Sequence, residues 1–252
     1  MSLALVALLY WAGAGKTALR ARDKLAFTSG LLLLCIVLMS PIASLSNALV
    51  SAHVLEDAVL LVAAAPLLAV SRTFSAILTA LPLLSGWRDV ALLRETSRTL
   101  TDRFVSWCLV AIALWAWSSP ALFQSSARSS FLHAFRDVSI LLAAVLFWSS
   151  VIHVRLKLFG YSASLLAVIT TAIHSMLLGW LLWSSPSIRY PAYSTTTRNL
   201  GLNPIEDQQF AGVLQLGLSV LVYSIAIILL ATKWHDEPEW ELVEAPEDHP
   251  TA

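Results

Sequence analysis

The chain has 252 residues, 58% hydrophobic and 13% charged, with a formal net charge of zero and a mean hydropathy of +0.74. Soluble domains carry about 25% charged residues, so the composition excludes an ordinary soluble domain and indicates an integral membrane protein. No basic excess points to nucleic acid.

The neutral total conceals an asymmetry. Residues 236–252 hold seven acids (Asp236, Glu237, Glu239, Glu241, Glu244, Glu247, Asp248) and no Lys or Arg, leaving a net +7 on residues 1–235. The chain therefore divides into an apolar body, 1–235, and an acidic tail, 236–252, whose composition predicts a disordered, solvated end.

Apolar runs fall at about 1–15, 25–41, 49–70, 104–122, 131–153, 161–183 and 208–232. Spanning takes about 20 residues, so the first run is marginal. It is not a secretory signal, because no positive charge precedes it and Lys16, Arg20, Arg22 and Lys24 follow. Those charges place the N-terminus outside and the following loop in the cytoplasm. AGAGKT at 12–17 resembles a phosphate loop, but Tyr10 stands where the motif requires its first Gly. Cys35 and Cys108 match no paired-cysteine motif and read as small apolar residues.

With seven spans, cytoplasmic segments hold four, five, two and one Lys/Arg, twelve in all, against three outside (Arg128, Arg189, Arg198). Counting TFSAILTALPLLSGW, 73–87, as an eighth span changes the tally to eight against seven and removes the bias. That segment, interrupted by Pro82, reads instead as a short interfacial or re-entrant helix. The expected fold is an all-α, polytopic bundle of about seven transmembrane helices, N-terminus outside and C-terminus cytoplasmic.

Ionisable residues inside spans mark functional sites by default. The third run carries His53, Glu56 and Asp57, and the fifth carries His133, Arg136 and Asp137. His53/Asp57 and His133/Asp137 are both spaced i, i+4, which puts each pair on one helix face. Both pairs lie near the outer ends of their spans. His174 in the sixth run reaches a similar depth, and Asp207 heads the seventh. One reading is a metal site ligated by His53, Asp57, His133 and Asp137, with Glu56, Arg136, His174 and Asp207 lining a polar cavity. The other is a buried network in which Arg136 pairs with Glu56 or Asp57. Three acids against one Arg leave a net −2, which requires a cation or protons in a low dielectric.

SPI at 40–42, His53 followed by APLL at 65–68, WAWSSP at 115–120, HAFRD at 133–137 and NPIEDQQFAG at 203–212 resemble the CtaG family of multi-span cytochrome c oxidase assembly factors. The resemblance covers roughly residues 5–235. It implies a bacterial plasma-membrane protein that helps to build haem–copper oxidases, with copper as the ion handled and oxidase subunits as partners. The departures fall on histidines. The family's third-span HMxQH is HVLED here, its HxxEH is HAFRD, and its WxWHxP is WAWSSP, so Asp57, Asp137 and Ser118 stand at expected histidine positions. A His2Asp2 set suits Cu(II) or Zn(II) better than Cu(I). A scaffold that has lost the metal is the alternative. A carrier is a third reading, opposed by the apolar inner halves and the lack of an evident inverted repeat. No nucleophile–base pattern suggests an enzyme.

Overall fold

A computed structural model describes residues 3–16, 19–80, 102–153 and 157–235, and within them the chain is helical with no strands. The acidic tail lies outside these residues, as do residues 81–87 of the interrupted segment. In chain order the helices are α1 (Leu3–Ala14), α2 (Ala21–Met39), α3 (Pro41–Leu45), α4 (Val50–Ala58), α5 (Ala65–Val70), α6 (Thr73–Ala80), α7 (Arg103–Ser118), α8 (Pro120–Arg128), α9 (Ser130–Ile152), α10 (Lys157–Trp183), α11 (Ser194–Asn199) and α12 (Pro204–His235).

Among the described residues, four helical stretches are long and apolar enough to cross a membrane: Val50–Val70, Ser130–Ile152, Tyr161–Trp183 and Pro204–His235. α7 and α8 make a fifth if counted as one span bent by 73°. Ser119 is extended and Pro120 opens α8, so the run expected over 104–122 turns sharply at its end. α1 has 12 residues, about 18 Å at 1.5 Å per residue, short of a hydrocarbon core. α2 has 19 residues but opens with Arg22, Asp23 and Lys24. Among the described residues, length and apolarity thus single out four to five spans, and the remaining hydropathy runs do not meet that test as single helices.

The third span is continuous but not uniform. Between α4 and α5 the chain widens into a π-helical turn, Val59–Ala64. There the Ala65 N–H reaches back five residues to Leu60 O, and the next residue, Pro66, has no N–H to give Leu61 O. The Trp148 indole N–H fills that vacancy at 2.8 Å. This span is the hub of the bundle: α2, α9 and α12 all pack on it.

Two close seams complete the body. α10 and α12 approach until Gly179 and Gly212 nearly touch: a Cβ on Gly212 would lie 2.5 Å from Trp183 N and 2.6 Å from Gly179 O. Polar links run along the same seam, with Gln215 Nε2 donating to Ser175 Oγ and Ser175 bonded to Ser219, each at 2.8 Å. In the other seam α1 lies against α6, and a Cβ on Gly13 would collide with Ala76 O. Gly13 of AGAGKT thus serves close helix packing.

Candidate functional site

The site lies where α4, α9 and α12 meet the segment 184–203. Its foundation is a helix cap supplied from far along the chain. Leu49, at the N-cap of α4, offers no side-chain acceptor. Asp207 instead accepts from Val50 N at 2.8 Å and Ser51 N at 3.4 Å, and the Ser51 hydroxyl donates to the same carboxylate. Its negative charge at a helix N-terminus also suits the helix dipole. Next to it, Gln208 accepts from Arg189 N at 2.7 Å and donates to Ser187 O at 3.2 Å. Asn203 caps its own helix through Ile205 N at 3.0 Å. The block NPIEDQQFAG is therefore a fastening device. Asp207 holds α4 and does not line the cluster.

Turning inward along α4, His53 and Glu56 are fully buried, as is Arg136 of α9. Arg136 is the hub of the charges. One guanidinium nitrogen, Nη2, pairs with Asp57 and lies 4.0 Å from Glu56. The other, Nη1, lies 3.3 Å from Asp137 and 3.3 Å from His133 Nδ1. A guanidinium only donates, so Nδ1 accepts and the proton of a neutral His133 sits on Nε2. That nitrogen faces Glu56 at 3.4 Å and Asp137 at 3.5 Å.

The convergence differs in membership from the expected His53, Asp57, His133, Asp137 set. The ligand atoms within 4.8 Å of one another belong to Glu56, His133 and Asp137. Asp57 is drawn off by Arg136, and Glu56, one residue earlier on the helix, takes its place. His53 sits beside the trio, its ring centroid 5.9 Å from that of His133 and nearly perpendicular to it. His53 Nε2 and both Glu56 carboxylate oxygens are buried without a hydrogen-bond partner. Such orphans are costly unless something fills them. One His with two carboxylates is a borderline-to-hard donor set, suited to a divalent ion.

His174 is not brought to the cluster. Its ring lies 5.7 Å from Trp107 and 6.3 Å from Trp115, both on α7. Cys35 and Cys108 are free and half-buried. Beside the cluster opens a narrow cavity of about 40 Å³ lined by Asp57, Ser118, Tyr190 and Gln215 among apolar residues, with room for roughly two or three waters. Positions 57 and 118, two of those where the resemblance leads one to expect histidine, thus face one cavity. Asp57 is 22% exposed at its side chain and joins the cavity to the buried charges.

The segment after α10 closes this end. Tyr190 stacks on Phe123 at 3.9 Å and donates to Ser118 O at 2.9 Å. Tyr193 contacts His53 Nδ1 at 2.8 Å. Burial pushes the Tyr190 phenol up to about 12 and raises that of Tyr193 as well, so both keep their protons. Tyr193 is the site residue that the spacing of charges does not reveal. Its signal in the chain is the Tyr-rich loop, Tyr190 and Tyr193, that precedes DQQFAG in the family resemblance.

Fold and site together define a helical membrane protein with a buried charge cluster beneath one capped end. A family model described as cytochrome c oxidase caa3 assembly factor (Caa3_CtaG) matches residues 4–237. The chain belongs to that family of assembly factors. No curated protein and no solved structure matches it significantly.

Proposed function

We propose that this assembly factor supports maturation of a haem–copper oxidase in the bacterial plasma membrane by holding a divalent copper ion, as cargo, at Glu56, His133 and Asp137. In this reading the body spans seven times with the N-terminus outside, α1 and α2 borrowing from their flanks, and the capped end faces the oxidase's copper-receiving surface. The observation that carries it is the convergence of three ligand atoms within 4.8 Å in a buried site whose side chains sum to a net −2. That charge excess favours a cation. His53, with a free Nε2 alongside, is the natural fourth donor.

A second reading keeps the family role without the ion. Arg136 already stands among the acids as a tethered cation, and it engages His133 Nδ1. Loading an ion on His133 Nε2 requires that contact to break while Arg136 keeps Asp57. In the second reading Arg136 never lets go, and the protein acts as a scaffold for oxidase subunits.

Metal content separates the two. The full chain is purified in mild detergent, loaded with Cu(I), Cu(II) or Zn(II), desalted and measured by inductively coupled plasma mass spectrometry. Near-stoichiometric copper or zinc in wild type, lost in Glu56→Gln with His133→Ala, is the expected result. A wild type that stays metal-free under all three loadings sinks the cargo reading and leaves the scaffold.

A further inference from the structure

His53 poses a local problem. It is wholly buried, yet its position on α4 fixes only where the ring hangs, not which nitrogen faces the charges. Two oxygens settle that. Nδ1 lies 2.8 Å from the Tyr193 hydroxyl and 3.2 Å from Ser46 O, while Nε2 has no partner. The Ser46 carbonyl can only accept. A proton on Nδ1 therefore serves both oxygens, and the remaining lone pair lies on Nε2.

We propose that Tyr193 is a positioning residue for His53: the Ser46 carbonyl calls for a proton on Nδ1, and the Tyr193 hydroxyl gives that N–H a second, closer acceptor, so that Nε2 presents a free lone pair toward the Glu56–His133–Asp137 cluster. This rests on the cargo reading above for its purpose, but its geometry stands apart from any metal. A ligating histidine whose far nitrogen is fixed by an oxygen acceptor keeps its tautomer and ring orientation. The tyrosine is itself well fixed. Its backbone carbonyl accepts from Thr197 Oγ1 at 2.8 Å and Thr196 Oγ1 at 2.9 Å. The same two hydroxyls reach Ala48 O, at 3.3 and 2.8 Å, two residues ahead of α4. One clasp thus sets the height of both Tyr193 and the helix bearing His53. Phe123 closes the remaining face, its ring centroid 4.0 Å from that of His53 and 5.5 Å from that of Tyr193. With the ring held in this slot, a 180° flip about Cβ–Cγ would put the Cδ2 carbon against the two oxygens in place of Nδ1 and lose both contacts. The carbonyl calls for a proton on Nδ1, and the hydroxyl is the closer of the two contacts that favour this pose.

The test uses the full chain in lipid nanodiscs with ¹⁵N-labelled histidine, comparing wild type, Tyr193→Phe and, as a control for loss of a buried phenol elsewhere, Tyr223→Phe. His53→Gln assigns the His53 signals. In metal-free wild type His53 is expected to show a protonated Nδ1 and an unprotonated Nε2. Tyr193→Phe should mix the tautomers and weaken Cu(II) binding by about 10–100-fold, the usual effect of losing such a partner. Stoichiometry should hold, and Tyr223→Phe should bind like wild type. An unchanged nitrogen spectrum together with unchanged affinity in Tyr193→Phe overturns the proposal. If wild type binds no copper, the cargo reading fails, and the metal-free nitrogen spectrum alone decides whether Tyr193 orients His53.

Discussion

The third span and the last one invert the rule of soluble proteins. Val50–Val70 is 61% buried over its most apolar window, whereas Pro204–His235 is more apolar and only 22% buried. In water the most apolar helix would lie at the centre. In a bilayer the lipid is as apolar as leucine, so hydrophobicity gives a helix no reason to go inside. Polar groups do. The third span carries His53, Glu56 and Asp57, and a wide turn whose spare carbonyl needs Trp148. It is central because its unsatisfied groups require partners on every side, and α12 is peripheral over most of its length because it has few.

The comparison is broken most directly at the charge hub. Arg136→Leu leaves buried Glu56 and Asp137 and half-buried Asp57 without their cation, and breaking a buried pair in this way costs about 3–5 kcal/mol. The expected outcome is a marked loss of folded protein by fluorescence-detected size exclusion. Adding Asp57→Asn should recover part of it, since that carboxylate is the closest partner of the guanidinium. Wild-type yield for Arg136→Leu alone would mean that the third span is not held centrally by ion pairing. Recovery on adding Cu(II) or Zn(II) would favour the cargo reading, because a divalent ion then replaces the lost charge.

The next effect falls where α12 does approach its neighbours. Gly212→Ala places a methyl against Trp183 N and Gly179 O, backbone atoms that cannot swing aside. Overpacking of this kind costs about 1–3 kcal/mol, and the melting temperature in detergent should fall accordingly. Asp207→Ala is expected to cost less, about 1 kcal/mol for a lost cap, with Asp207→Asn smaller still. A silent Asp207→Ala would show that Val50 N and Ser51 N find water once the carboxylate is gone.

Much of this was legible in the chain. The helical class, the membrane setting and the pairing of His53 with His133 on facing helices all follow from runs and i, i+4 spacing. The choice between Glu56 and Asp57 does not, because adjacent residues point about 100° apart and the rotation of α4 decides which one meets His133. His174 shows the same limit: its depth can be counted, but its direction toward Trp107 and Trp115 cannot. The ends of the apolar helices are obscured at charges and prolines, where Arg22–Lys24 shorten the apolar part of α2 and Pro120 turns the end of α7. Tyr193 meets His53 across 140 residues, and no local pattern encodes that contact.

The smallest predicted effect, that of Leu221→Ala, is the sharpest check on the comparison when the same chemical change is also made at Leu60. Leu60, at the wide turn of the third span, is fully buried, whereas Leu221, near the middle of α12, is 58% exposed. Leu→Ala at either position removes the same atoms. If water drove the packing, both would lose transfer free energy in proportion to the area each buries. In lipid, acyl chains fill the space beside residue 221, and Leu221→Ala should lie within about 0.5 kcal/mol of wild type, as for substitutions away from packed features. Leu60→Ala leaves a void that neither lipid nor the fastened turn can close, so it should fall in the usual range of about 2–5 kcal/mol for such cavities. The gap between the two melting temperatures measures packing alone. Equal losses would mean that the exposed face of α12 is covered by protein in the membrane, making the last span a docking face for a partner subunit.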